Sequence, residues 1–524
     1  MKNIFSLEFP YLSSNLKKIK FIFISILLIA LIIQLFLIDD FKNFDSLIYL
    51  TISNLLIYFY CFKENTIKNY PISNFSLIFI NIYSNSGALY FKSFTLESVE
   101  SFMYQPNITF FYLLLFNFFM IIIHIFYRNF SIFYFLKKYI NKIFLFFEKN
   151  QILDKKNLLY LGFFSILVSS LGITFLNKYI WSDKAIGPSL FGDLINGIKV
   201  FYICPFILLF SKKFYEFKIN KKEYLITIIC SFLIIYLSLG LNSRSVFFDI
   251  LFSGILIYLL LVLVGFIEIK VLRFNKLVII FILLIFISNF IDKFSESYLK
   301  ARQFRDNTNP IQNIINHYQL LKIKNSSVLI NANERNSNKI FNENYYNINF
   351  LNRINVSQLA DNIFYAKNFM HKKEIEAILD YEKKKFLGIL PSPIIKIFNP
   401  YYNKAIYFDT VTSQIYSKIE KFSVGGKSNG IIFSILIFYE SYLFYAIFFL
   451  ASLLVFSILD SFVIKNNISI ILFILLYATS GGLINVIAGG SLFNFIANLF
   501  RDFPQSILIL FILGKFFKNF LIKV

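Results

Sequence analysis

Long apolar runs separated by short polar segments recur along most of the chain. A helix needs roughly 20 consecutive apolar residues to cross a bilayer. On that criterion the pattern predicts spans near 21–38, 46–62, 72–90, 108–127, 157–177, 191–210, 224–240, 245–265, 277–292, 431–459, 467–488 and 501–518. The exception is 293–430, the only long hydrophilic insertion. Within it, VSQLADNIFYAKNFMHKKEIEAILDYEKKKF has Leu359, Ile363 and Ala366 at helical spacing. LPSPIIKIFNP (390–400) is predicted to break into an extended stretch through its prolines. The predicted fold is therefore an all-α polytopic membrane protein of about twelve transmembrane helices. Residues 1–292 and 431–524 form the membrane bundle and 293–430 a partly helical loop. No internal repeat is evident, and a loop of that size is uncommon unless functional.

Two segments break the pattern. The run 72–90 (ISNFSLIFINIYSNSGALY) is interrupted by Asn and Ser. The segment 131–150 has Ile132, Leu136, Tyr139, Ile140, Ile143 and Phe147 on one helical face and Lys137, Lys138, Asn141 and Lys142 on another. That is the pattern of a helix lying in the membrane interface, or of a soluble amphipathic connector.

Composition supports lipid as the solvent. The chain is 57% hydrophobic, has 70 Phe and a mean hydropathy of +0.64, which a soluble core cannot absorb. Richness in Phe, Ile, Lys, Asn and Tyr matches AT-rich codons, plausible for a bacterial genome. The net charge of +22 is sorted by topology. With the N-terminus inside and twelve spans, about 25 Lys/Arg fall on the cytoplasmic side and about 5 in short outer segments. Omitting the span at 72–90 would move the lysine-rich segments 128–156 and 211–223 outside, so the twelve-span arrangement is preferred. Both termini are then cytoplasmic and the long loop is extracytoplasmic. The first apolar run, preceded by Lys17, Lys18 and Lys20, reads as an uncleaved signal anchor. Cys61, Cys204 and Cys230 lie in apolar runs without C-x-x-C spacing, which argues against disulfides and zinc ribbons. Basic charge sorted in this way does not imply nucleic-acid binding.

Candidate chemistry gathers at the outer face. Arg244, in GLNSRSVFFDI, opens a span there, against the positive-inside bias. Either it anchors a helix hairpin by snorkelling to lipid phosphates, or its planar guanidinium grips an anionic group. Arg501 and Asp502 start the last span, after a glycine-rich AGGSLFNFIANLF that predicts a re-entrant or cavity-lining connection. Arg302 and Arg305 follow the ninth span, and Arg353 lies within the loop. The chain has about eight arginines against more than forty lysines, so arginine here suggests a geometric requirement. Ionisable residues predicted inside the membrane are His124, Asp249 and Glu440, candidates by default because burial in hydrocarbon is expensive. Glu440 falls about ten residues into its predicted span. Each carboxylate could equally be a structural interhelical bond, and His124 reads as structural. GGKS (425–428) is no phosphate loop, since Lys421 stands where that motif needs glycine. The sequons at 325–327 and 355–357 are expected by chance. No metal-ligand cluster and no nucleophile elbow is present, and no cofactor is signalled.

Taken together, SLGLNSRS opening a span, the single large loop, LPSPIIKIFNP late in it and GGKSNGIIFSILIFYESYLF entering the next span resemble the Wzy-type oligosaccharide repeat-unit polymerases of O-antigen and capsule assembly. The resemblance covers the chain from about 225 onward. Arg244, Glu440 and Arg501 match the family's arginine step, its glutamate-bearing helix and its arginine near the start of the last span, and Arg353 matches loosely. The family's aromatic–glycine stretch after the glutamate is missing, since YESYLFYAIFF has no glycine. The resemblance implies a metal-independent glycosyltransferase with a GT-C-like bundle in the bacterial inner membrane, its loop periplasmic. It would move a growing glycan from undecaprenyl diphosphate to the terminal sugar of a lipid-linked repeat unit. Partners implied are that lipid-linked oligosaccharide, membrane lipid and, as further candidates, a flippase and a chain-length regulator. Arg244 and Arg501 would face developing diphosphate charge, Glu440 would serve catalysis, and Arg302, Arg305, Arg353 and Asp249 would contact substrate. Two alternatives are an O-antigen ligase, whose loop usually depends on a histidine (His317 or His371 here), and a flippase or transporter.

Overall fold

A computed structural model describes residues 11–37, 44–149, 154–175, 200–206, 220–240, 244–269, 355–390, 392–402, 410–420, 431–464, 467–468 and 491–523, and isolated positions besides. Among these the chain is helical apart from one short hairpin, and five helices are long and apolar enough to cross a membrane. The first helices are α1 (Leu12–Leu37), α2 (Phe44–Cys61), the short α3 (Glu64–Asn69) and α4 (Pro71–Asn81). A π-helical turn, Ile82–Ser86, carries α4 directly into α5 (Gly87–Thr95). Then come α6 (Pro106–Asn129), α7 (Ser131–Lys149), α8 (Lys155–Phe175), α9 (Lys221–Gly240) and α10 (Arg244–Leu263). The predicted span at 72–90 is therefore a continuous rod, longer than the sequence pattern suggested. Predicted spans at 191–210, 277–292 and 467–488 lie largely outside the described residues.

Short connections make neighbouring helices antiparallel. The start of α1 is sewn to the end of α10: Asn15 Nδ2 donates to the carbonyls of Val262 (2.9 Å) and Ile267 (2.6 Å), and Ile269 N–H donates to Asn15 Oδ1 (2.9 Å). Gly265, at φ +84°, makes that junction. The turn places Phe266 N–H on Leu261 O and Gly265 N–H on Val262 O, and an added Cβ would lie 2.5 Å from Leu12 N. Arg244, at the other end of α10, therefore shares an end of the bundle with the close of α1. That end also holds the 96–105 connection, where Gln34 of α1 binds Ser93 Oγ and Glu97 O.

The large insertion contributes α11 (Ser357–Lys367), α12 (Lys372–Leu387), α13 (Ser392–Phe398) and α14 (Val411–Glu420) at this end, called the loop end below. Residues 390–400 were expected to be extended; α13 corrects this, its prolines sitting at or before the first turn, where no amide donor is needed. The chain continues through α15 (Ile432–Tyr439), α16 (Tyr442–Ser461), a hairpin pairing Val463 with Ile468, and α17 (Leu492–Ala497). A second π turn, Asn498–Asp502, leads into α18 (Phe503–Lys523). The re-entrant connection expected near Arg501 is, from Leu492 onward, one helix with a π turn.

Two helices lack a local N-cap and take a carboxylate from elsewhere instead, and a third adds such a carboxylate to its own cap. Tyr70 and Gln105, preceding Pro71 and Pro106, offer no capping side chain. Asp460 of α16 closes α4, accepting Ile72 N (3.1 Å) and Ser73 N (3.0 Å) on Oδ1 and Ser73 Oγ (2.6 Å) on Oδ2. Asp361 of α11 closes α6, accepting Tyr104 N (2.6 Å), Gln105 N (2.9 Å) and Thr109 Oγ1 (2.8 Å). Glu382 of α12 accepts Phe493 N (3.1 Å) at the start of α17, beside the conventional Ser491 cap. Proline satisfies one orphan amide by lacking it; Asp460 accepts the next two amides of α4, whereas Asp361 accepts the two amides just ahead of α6, and both carboxylates meet positive helix ends.

Polar side chains that interrupt the 72–90 run point into the bundle. Ser53, Asn81, Ser86, Asn85 and Asn117 are buried and joined by bonds of 2.6–2.9 Å across α2, the α4–α5 rod and α6. Such bonds average about 0.6 kcal/mol each in membrane bundles, so their main effect is to fix register. His124, as expected, is structural: buried, with Nδ1 on the Tyr60 hydroxyl (2.7 Å) and Nε2 on Ser73 Oγ (2.9 Å). Ser73 donates its own proton to Asp460, so the polar chain runs one way, from Tyr60 through His124 and Ser73 to Asp460.

Helix α7 differs from its predicted faces. Phe144 and Phe147 pack against Phe462 of α16 and Phe511 of α18, and Asn141 donates to Val463 O (3.0 Å). Lys137 turns inward over the Tyr70 ring. Ile132, Phe135, Tyr139, Ile143 and Phe146 are left exposed in a stripe along the opposite side.

Candidate functional site at the loop end

The insertion does not cap the bundle from above; it enters it. The π turn at 82–86 leaves main-chain carbonyls without their usual helical partners, and residues preceding α11 take them. Val356 N donates to Tyr83 O (3.0 Å), Asn355 Nδ2 to Ile82 O and Tyr83 O (both 3.2 Å), and Ser357 Oγ to Ser84 O (3.1 Å). Tyr83 is midway along the α4–α5 rod. The sequon 355–357 is thus a buried structural plug. Gly87 makes the approach possible, because a Cβ there would lie 2.2 Å from Ile82 O and 2.9 Å from Asn355 Nδ2. Higher up, Tyr104 stacks on Tyr365 (4.2 Å, 7°) and Tyr112 meets Phe364 (5.1 Å). Burial pushes the Asp361 carboxyl above the usual range, against the three donors that pull it down.

From this seating α11 delivers Lys367 to Glu440. The predicted span 431–459 is broken here: Glu440 has φ 51° and ψ 32°, a left-handed conformation that ends α15, and α16 starts afresh at Tyr442. Glu440 is therefore not ten residues inside a span, as expected, but exposed at a break just before one begins. The break frees the Ile437 carbonyl, which accepts from Lys367 Nζ (3.2 Å) while the same ammonium pairs with Glu440 Oε1. Lys367 holds the Glu440 carboxyl below its ordinary range, chiefly through that bond. The carboxylate is ionised and open to solvent.

Next to the break, Tyr439 turns inward toward Glu382, whose carboxyl burial pushes up. Glu382 Oε2 and the Tyr439 hydroxyl are buried without a partner in hydrogen-bonding geometry. Lys385 lies over the Phe493 ring (5.1 Å), and Phe386 touches both Phe444 (6.0 Å) and Phe493 (5.9 Å). The starts of α16 and α17 are thereby joined through α12.

Of the residues singled out in the sequence, Glu440 stands at the break just ahead of α16, beside the elements joined in this way. Arg501, expected at the outer start of the last span, lies instead inside the helix that begins at Leu492, close to Phe503, which packs on Phe462 at the far end of α16. Arg501 lies in the second π turn, half-exposed, with Nε on Asp502 Oδ1 (2.7 Å); its bonded partner is this neighbour and not Glu440. Arg244 is the first residue of α10 and Asp249 lies in the same helix, toward the loop end. Arg302, Arg305, Arg353 and His317 lie outside the described residues. His371 is exposed ahead of α12, its backbone N–H on Glu374 (2.9 Å). Sequence reasoning missed Lys367, Asp361 and Glu382. The signal available was indirect: a helix opening on Tyr-Pro or Gln-Pro, with no capping side chain, needs an acceptor from elsewhere. Among the described residues no group of His, Cys, Asp and Glu has the makings of a metal site. Comparison with protein-family models, curated proteins and solved structures finds no match.

Proposed function

We propose that this chain is a bacterial inner-membrane glycosyltransferase that polymerises lipid-linked oligosaccharide repeat units on the loop side of the membrane. The observation that carries the reading is the Glu440–Lys367 arrangement. An ionised, solvent-open carboxylate stands at a helix break beside the start of a span, fixed by a cation from the loop. Arg244 opens α10 at the same end of the bundle, and Arg501 lies in the π turn of the last helix. Together with the Wzy-type resemblance, this arrangement supports the following chemistry.

The acceptor sugar's hydroxyl oxygen bonds to the anomeric carbon of the growing glycan as that carbon's bond to the diphosphate oxygen breaks. The hydroxyl proton passes to the Glu440 carboxylate, which is ionised and so enters as a base. The bonding electron pair leaves with undecaprenyl diphosphate, whose growing charge Arg244 and Arg501 meet. Asp502 holds Arg501 until the diphosphate competes for it. In this reading the chain has twelve spans with both termini cytoplasmic, and Arg302, Arg305, Arg353 and Asp249 line the path of the lipid-linked substrate.

Deleting the gene tests this. Surface glycan limited to a single repeat unit on its anchor supports a polymerase. Complete loss of surface glycan would transfer the assignment to ligation or export.

A further inference from the structure

The last turn of α12 sits where a span begins, its Phe386 against Phe444 of α16. Beyond it the chain leaves as a strap and returns to the same helix. The Tyr402 hydroxyl donates to Lys384 O (3.0 Å), and the Tyr402 ring stacks on Tyr407 (5.2 Å). Ile395, within the strap, is buried. The outer side is apolar and uncovered: Leu387, Leu390, Ile394, Ile397, Phe398 and Tyr401 are exposed, the last three at 77%, 76% and 95%. Aqueous surfaces rarely gather such side chains.

Two observations identify what covers them. The first is continuity with the lipid-facing surface. Tyr442 and Leu443, in the turn of α16 that contains Phe444, are exposed at 91% and 62% on the way into a membrane span. The strap thus lies at the height where hydrocarbon begins. The second is charge. Residues 383–408 contain five lysines and no Asp or Glu; Lys383 and Lys396 are exposed, while Lys384 pairs with Asp380 and Lys385 is buried over the Phe493 ring. Lysines with aromatic rings beside a span's first turn are the chemistry of the bilayer interface, and the cations suit anionic headgroups.

We propose that residues 387–402 are an interfacial foot, inserted into the leaflet on the loop side through Ile397, Phe398 and Tyr401. The foot sets the height of α12, and with it the Glu382 clasp on α17. This inference needs only the membrane bundle and is independent of the glycosyl-transfer reading.

The test is spin-label accessibility in the full-length protein, reconstituted into phosphatidylethanolamine–phosphatidylglycerol vesicles. Labels are placed through Phe398→Cys and Tyr401→Cys. Leu450→Cys on α16 serves as the lipid control and Glu376→Cys on the exposed face of α12 as the aqueous control. The native cysteines Cys61, Cys204 and Cys230 are buried. We expect positions 398 and 401 to collide more with oxygen than with a water-soluble nickel chelate, as at 450, with the order reversed at 376. Positions 398 and 401 behaving like 376 would place the strap in water. Shielding from both relaxants would mean that protein covers it. Either result overturns the proposal.

Discussion

Replacing Asp361 by Ala removes the acceptor of three donors at once, the part-buried Tyr104 and Gln105 amides and the buried Thr109 hydroxyl. A buried polar group left unpaired costs about 1–3 kcal/mol. Removing a carboxylate that is itself expensive to bury returns part of that sum. A net loss of about 3 kcal/mol is expected in the seating of α11 against α6, roughly a hundredfold in the docking equilibrium. Asp361→Asn, which keeps one acceptor oxygen, should lose about tenfold. The reporter is the Val356 amide, bonded to Tyr83 O at the far end of the same seating. Hydrogen–deuterium exchange of the purified protein should show peptides covering 355–367 exchanging faster by those factors, while α16 stays protected. Unchanged exchange at 355–367 in Asp361→Ala would refute the idea that a carboxylate clasp holds the insertion in the bundle.

Gly87→Ala should dislodge the same plug from the other side, because its Cβ would overlap the Ile82 carbonyl and crowd Asn355; exchange at 355–357 should rise and the thermal midpoint fall. Burial raises the Glu100 carboxyl, in the 96–105 connection, to about 7 from an ordinary 4.5. Its protonation therefore favours the folded state: that stability is complete below pH 4.5 and is lost as the pH rises through 7. Glu100→Gln should abolish this decline, seen as a thermal midpoint that no longer drops relative to wild type over that window. Arg244→Ala and Arg501→Ala should abolish polymer in cells with the protein still inserted, and Arg244→Lys should rescue poorly, since an ammonium lacks the bidentate fork; normal chain lengths would reduce both to membrane anchors. Lys367→Ala should reduce polymer length and raise the pH at which activity sets in, because Glu440 loses the cation that lowers its pKa.

Apolar length read directly into structure. The run at 108–127 became α6 and that at 245–265 became α10, each within a few residues, because spanning helices are specified by continuous hydrophobicity. The polar interruptions at 72–90 did not stop a helix, since Asn81, Asn85 and Ser86 found partners on neighbouring helices that no local window contains. Glu440 was misplaced because composition is blind to a left-handed residue: the apolar run continues through the break, and only φ reveals it. The α7 faces were misassigned for a related reason. Phe144 and Lys137 are drawn inward by Phe462 and by the Asp460 region, contacts far away in sequence. Lys367, Asp361 and Glu382 were anonymous in a lysine- and acid-bearing loop, and each acquires its role only by reaching a helix end or break elsewhere in the chain.

The most direct test of the central claim is reconstitution. Purified protein in liposomes is supplied with undecaprenyl-diphosphate-linked repeat units on the face that carries the 355–420 helices, and products are resolved by size. A ladder of glycans rising by whole repeat units, with release of undecaprenyl diphosphate and loss of both in Glu440→Gln, is the predicted result. Repeat units that stay single while crossing the bilayer, or that pass unextended to another lipid acceptor, would contradict it.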